Sequence, residues 1–222
     1  MKFTHPEIET VIDTENGLYN TLVIEEQRFL VRLLEDITGQ IQGLDGNAVI
    51  SDRDTPVTFS KYSDLLDCFV PFELNRKPLL NLITADLGKR ASSPDNFERT
   101  ATALAAVELW LSDLTFDYPC DIGFSNISIP ALLKASTPVI RGESLSVAEG
   151  VLDYMELIEE FDRRKLFFTL NMRCFVTDEE MELFAKTAVS HGYQVIGIEG
   201  FVHPKLSIEN RIVIDSDLCE IG

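Results

Sequence analysis

Apolar positions along the chain fall into two kinds of pattern, one at helical spacing and one in short continuous runs. Phe29, Leu30, Leu33, Leu34, Ile37 and Ile41 lie three or four residues apart. They predict a helix over about 25–42, stopped by Gly43. Before it, Glu9–Ile12 and Tyr19–Ile24 flank Asn16-Gly17, a strong turn dipeptide, and predict two short strands around a turn. Ala48–Ile50, Val57–Phe59 and Leu65–Val70 read as further strands. A helix is expected over about 77–89. Ser93-Pro94 then opens a long one, with serine as cap, proline at the first helical position, and Asp95 and Glu98 complementing the dipole. That helix runs to about Phe116 and ends at Pro119, and a shorter one follows over 127–134.

The C-terminal third carries the clearest signals. Ser146–Glu149 and Thr177–Glu180 are both capping boxes, opening helices to about Phe161 and His191-Gly192. Lys165–Leu170 and Tyr193–Ile198 are apolar runs on either side of the second helix, the strand–helix–strand signature of a parallel sheet. Arg211–Ile214 is expected as an edge strand. Strands therefore occupy 1–75 and 163–222, while 76–162 is nearly all helix. The fold class expected is α/β, a head with a mixed, mainly parallel sheet interrupted by an extended helical arm.

Composition narrows the possibilities. The 222 residues are 45% hydrophobic, enough for a real core, and no apolar stretch is long enough to span a membrane. The N-terminus lacks the apolar segment of a signal peptide, so a soluble, cytoplasmic protein with no membrane partner is expected. Cys68, Cys120, Cys174 and Cys219 show no metal or disulfide spacing. Three of them sit in apolar runs, where a free cysteine is expected to be buried as a small hydrophobe. The net charge of −18, from 37 acidic and 19 basic residues, argues at face value against a nucleic-acid partner.

The sequence holds no GxxxxGK[ST] or GxGxxG phosphate loop and no GxSxG nucleophile motif. His5, His191 and His203 assemble no catalytic set, and His191 is expected to partner a helix C-terminus. Carboxylates remain. Glu108, Asp113, Asp117 and Asp121 belong to an acid-rich stretch whose only base is Arg99. Asp113 and Asp117, four apart, are expected on one helical face. Oxygen-only donors suit a hard cation, although such a face can equally be solvated. Glu156, Glu159, Glu160 and Asp162, followed by Arg163-Arg164-Lys165, read as a solvated face with helix-terminal cations. Of the cations, Arg28 and Arg32 share a helical face, Lys77 and the Lys89-Arg90 pair bracket the second helix, and Arg99 lies near the start of the third. In a symmetric oligomer each such position becomes a ring of charge, so that a basic channel could coexist with an acidic exterior.

Four segments carry a family resemblance: Arg164–Asn171 (RKLFFTLN), Val176–Glu180 (VTDEE), Val195–Glu199 (VIGIE), and Leu79–Leu87 after Phe72–Asn75 (FELN). Their order resembles that of the Csn-two family of CRISPR-associated proteins of type II-A loci, over nearly the whole chain. The resemblance implies a RecA-like head without a Walker A loop, carrying a helical leg. It also implies a non-catalytic ring, a homotetramer encircling linear double-stranded DNA at its ends during spacer acquisition, with calcium but no nucleotide as cofactor. The implied partners are the integrase pair and effector nuclease of the same locus. Glu108, Asp113, Asp117 and Asp121 fall in the region of the family's calcium ligands. Arg28, Arg32, Lys77, Lys89, Arg90 and Arg99 are matched by region to its DNA-facing cations. The alternatives are a metal-dependent nuclease using the same carboxylates and a purely protein-binding adaptor with a solvated acidic surface.

Overall fold

The computed structural model describes residues 1–141, 146–161 and 165–221. It divides into two compact units, one of Met1–Leu74 with the described residues of 143–222, the other the described part of 75–142. Arg163 and Arg164, expected as helix-terminal cations, lie outside the described residues, as does Asp162.

The first unit contains strands β1 (Lys2–Thr4), β2 (Ile12–Asp13), β3 (Tyr19–Ile24), β4 (Val49–Asp52), β5 (Thr55–Val57), β6 (Ser63–Leu66), β7 (Leu166–Leu170), β8 (Gln194–Glu199), β9 (Glu209–Ile214) and β10 (Glu220–Ile221). Its helices are α1 (Gln27–Ile41), α2 (Phe59–Tyr62), α6 (Val147–Phe161) and α7 (Asp178–His191). The second unit is made of α3 (Lys77–Ala91), α4 (Pro94–Leu114) and α5 (Ile129–Ser136).

A six-stranded sheet runs in the order β10-β9-β3-β8-β7-β6. All its neighbours are parallel except the β9–β10 pair. Antiparallel pairing in the order β2-β1-β4-β5 builds a smaller sheet. One face of the large sheet presents Leu22, Ile24, Phe168, Ile196, Ile198, Ile212 and Ile214 to Phe29, Leu33 and Ile37 of α1 and to Phe3 and Ile50 of the small sheet. Removing this area from water is the main stabilising term, about 25 cal/mol per Å² of apolar surface. Phe168 sits at its centre, 5.3 Å from the Phe3 ring and 6.2 Å from that of Phe59. On the opposite face, Tyr19 meets Phe184 of α7 and Phe167 meets Tyr154 of α6.

The βαβ reading of 165–198 holds: β7 and β8 pair in parallel and α7 connects them. Its capping box is complete, with Thr177 Oγ1 accepting from Glu180 N and Glu180 accepting from Thr177 N. His191 lies in the last turn of α7, Nδ1 against the Thr187 carbonyl.

Several local expectations are corrected. The strands on either side of the Asn16-Gly17 turn are present but do not pair with each other: β2 pairs with β1, whereas β3 enters the other sheet between β8 and β9. Every residue of β3 is buried, and such a strand belongs at the centre of a parallel sheet, not in a two-stranded ribbon. Strand β9 is an edge strand over Glu209–Ile212, and β10 pairs beyond it only at Val213 and Ile214. Within 57–62, Phe59–Tyr62 is a helical turn. Ser93 does not cap α4; its hydroxyl donates to the Arg90 carbonyl at the end of α3. All four cysteines are exposed; beside Cys68 and Cys174, the neighbours Phe69 and Phe175 pack against one another. Helix α6, assigned above to the arm, belongs to the first unit. Its stripe of Val151, Tyr154, Met155 and Ile158 is wholly buried, and Tyr154 donates to Asp64 at 2.6 Å.

Candidate nucleic-acid interface

Charge is unevenly shared between the two units. Residues 75–142 contain seven Lys or Arg and seven Asp or Glu, leaving 12 basic and 30 acidic residues in the remainder. The helical unit is therefore neutral, and the other carries the whole net charge of −18.

Within the helical unit, α3 lays down a stripe at helical spacing, Lys77, Leu80, Asn81, Thr84, Ala85, Gly88, Lys89 and Ser92. It lines one wall of a cleft of about 1040 Å³. Pro130, Lys134, Thr137 and Pro138 form the other wall, on and just after α5. Two bonds pin the base of the cleft: Asn75 Nδ2 donates to the Ile140 carbonyl at 3.2 Å, and Ile140 N donates to Asn75 Oδ1 at 2.8 Å. Three exposed ammonium groups thus border a groove floored by small side chains. Lys77 and Lys89 come together as candidates, and Lys134, passed over in the sequence, joins them; its signal was its place on an amphipathic helix that packs on α3. Arg90 and Arg99 line a second hollow of about 410 Å³ between α3, α4 and α5, where Arg90 Nε is bonded to Asp86 at 2.5 Å.

Arg28 and Arg32 lie on α1 of the other unit. Arg28 is exposed. Arg32 is committed to Glu7 at 2.7 Å and stacks over the Phe29 ring, 5.6 Å from its centroid.

The four acidic candidates are all exposed and do not converge. Glu108 and Asp113 point about 140° apart around α4. Asp113 and Asp117 do not share a helical face, because α4 ends at Leu114 and Thr115 caps it. Asp121 opens onto a shallow hollow with Ser112, Thr115 and Phe116. Their oxygen chemistry suits calcium, but among the described residues no three Asp, Glu, His or Cys side chains are placed to hold an ion. Among the described residues, these four carboxylates as placed in one chain do not form a donor set for the metal.

The structure also assembles a buried polar cluster that the sequence did not disclose. Register places Tyr19, Thr21, Thr169, Glu199, Glu209 and Arg211 on the α7 side of the large sheet. Arg173, from the turn after β7, reaches into them. Glu199 is buried and its Oε1 accepts from Arg173 N at 3.3 Å. Burial pushes its carboxyl up to about 7, against the attraction of Arg173. A polar residue closing an apolar strand (VIGIE) was the one available clue.

The class of the protein follows from this architecture: an α/β protein with a mainly parallel sheet, its chain interrupted by a helical unit. The family model described as CRISPR-associated protein (Cas_Csn2) matches residues 40–218, most of the chain, and the chain belongs to that family, which takes part in CRISPR adaptation. Stu0660 of Streptococcus thermophilus, known from a crystal structure, is similar in fold, with a TM-score of 0.57 and 14% identity over 97% of this chain and 75% of that one. No curated protein matches the chain.

Proposed function

We propose that the chain is a non-catalytic, sequence-independent binder of linear double-stranded DNA ends that acts as a homotetrameric ring during spacer acquisition. The observation that carries this reading is the segregation of charge. Affinity for duplex DNA comes mainly from releasing counterions, and a body of net charge −18 repels it. A neutral helical unit with Lys77, Lys89 and Lys134 gathered on one groove gives the duplex a surface that the whole-chain charge hides. Four-fold repetition would multiply three ammonium groups into a continuous basic lining.

Assembly is supported by helix α4. It spans 21 residues and buries none, while Phe97, Leu109, Trp110 and Leu114 are more than half exposed. Apolar surface of this extent marks an interface. The reading of the head as RecA-like without a nucleotide is supported at the start of α1, which follows the central strand β3. There the Glu26 carboxylate accepts from Arg28 N at 3.1 Å and Phe29 N at 2.5 Å, filling the helix terminus on which a phosphate would sit. A calcium role would require carboxylates from more than one chain, or a rearranged 115–122 segment. A cytoplasmic location and association with the integrase pair and effector nuclease of the locus complete the proposal.

Gel filtration with and without EDTA, paired with binding to linear and closed-circular duplex of one sequence, tests it. A tetramer that retains linear but not circular DNA is expected. A monomer without affinity for linear duplex would sink the proposal, and magnesium-dependent degradation abolished by Asp117→Ala would replace it with a nuclease.

A further inference from the structure

The polar face of the large sheet is roofed by an unusual connection. Strand β8 ends at Glu199 and β9 begins at Glu209, parallel to it and on the far side of β3. Such crossovers ordinarily take a dozen or more residues and a helix. Here residues 200–208 cross as a strap without one. Its carbonyls at His203 and Pro204 accept from the Arg211 guanidinium at 2.8 and 3.2 Å. Leu206 N donates to Glu209 at 3.0 Å, and Ser207 N donates to Glu182 of α7, also at 3.0 Å. A cavity of about 260 Å³ beside it is bordered by Arg173, Asp178, Glu179, Glu182 and Lys205.

The buried Arg173, the half-buried Arg211 and the buried carboxylates Glu199 and Glu209 meet beneath this strap, but the cations are not shared evenly. Arg211 pairs with Glu209 at 2.6 Å, and Arg173 bonds Asp178 at 3.1 Å and lies 3.9 Å from Glu209, its Nε and Nη1 making no hydrogen bond among the described residues. Among the described residues, Glu199 receives one backbone N–H and no guanidinium hydrogen bond. Its Oε2 finds no hydrogen-bond partner among the described residues and lies 3.7 Å from His203 Nε2. Also facing it are the Tyr19 phenol, whose ionisation burial disfavours, and Glu209, whose like charge adds to the rise. A buried carboxylate left without its own cation is costly while charged, and gaining a proton removes the cost.

We infer that the 200–208 strap is a proton-controlled latch, closed over the sheet while Glu199 is protonated and loosened when that proton leaves. The sign follows from linkage. With the strap closed, burial lifts Glu199 to about 7 from an ordinary 4.5. Its contribution to closure is therefore complete below the ordinary value and is lost as pH rises through about 7. His203 works in the opposite direction. Burial, and then Arg173, lower its pKa, so closure favours its neutral form and acid opposes closure through it. Its imidazole remains partly exposed, which makes it the weaker of the two.

Hydrogen exchange of the Leu206 and Ser207 amides in the full chain, corrected for intrinsic base catalysis, reads the latch directly. Protection should fall close to tenfold per pH unit between about pH 5 and pH 7, then level off. Glu199→Gln keeps the shape and removes the titration, so its protection should no longer fall over that range. His203→Asn should steepen the wild-type fall. A wild-type profile independent of pH overturns the inference without recourse to any variant, and so does a Glu199→Gln protein that retains the wild-type slope.

Discussion

Helix α1 buries Phe29, Leu33 and Ile37, whereas α4, six residues longer, buries no side chain. The apolar residues of α1 follow one stripe that a sheet can cover. Those of α4 include the adjacent pair Leu109 and Trp110 and are spread around the helix, so one neighbour cannot cover them. The contrast extends to charge, with one unit bearing the full −18 and the other none. One unit has the core that a chain needs to stand alone; the other leaves much of its apolar surface, with Lys77, Lys89 and Lys134, exposed.

The largest expected effect attacks that division through charge. Reversing Lys77, Lys89 and Lys134 together to Glu should lower affinity for linear duplex by at least ~100-fold at low salt, and flatten the salt dependence by at least about 2.7 in log–log slope, the share of one subunit. Unfolding of the α/β unit should be unaffected. If binding persisted unchanged, the cleft would not be the DNA surface and the comparison would lose half its content. Next, Phe168→Ala should cost ~3–5 kcal/mol in urea unfolding, as expected for an aromatic at the centre of a core. Trp110→Ala should change unfolding by less than ~0.5 kcal/mol yet shift the gel-filtration mass toward the single chain. Equal costs for the two substitutions would show that α4 is covered within its own chain. The smallest effect sharpens the local end of the argument: Thr177→Ala should remove about 1 kcal/mol of stability by opening one half of the α7 capping box.

What was legible in the sequence was what neighbouring residues decide. The capping box at Thr177, the stop at Gly43 and the parallel β7–α7–β8 unit are short-range signals, and the structure keeps them. Pairing partners were not legible. Asn16-Gly17 signals a turn without stating which strands it separates, and β3 joins residues from the opposite end of the chain. Beside the exposed Cys68 and Cys174, Phe69 and Phe175 meet across 5.7 Å, a contact between distant segments. The site divides in the same way. Lys77 and Lys89 were visible as helix-flanking cations, but their companion Lys134 is supplied by tertiary packing. The cluster around Glu199 was hidden because its members come from four strands and a turn, each polar residue unremarkable in its own segment.

The ends of the large sheet have a consequence for how copies can meet. On one side it finishes in the two residues of β10, running against the others, and the four residues of β9 they leave uncovered, and on the other in β6, four residues long. Edges this short offer an incoming chain little free main chain to pair with, which is how soluble proteins forestall strand-to-strand growth into fibrils. Association by backbone augmentation is thereby disfavoured, and contacts between copies fall to side-chain surfaces. Such contacts come in defined geometries and can close on themselves, where strand addition would go on without limit.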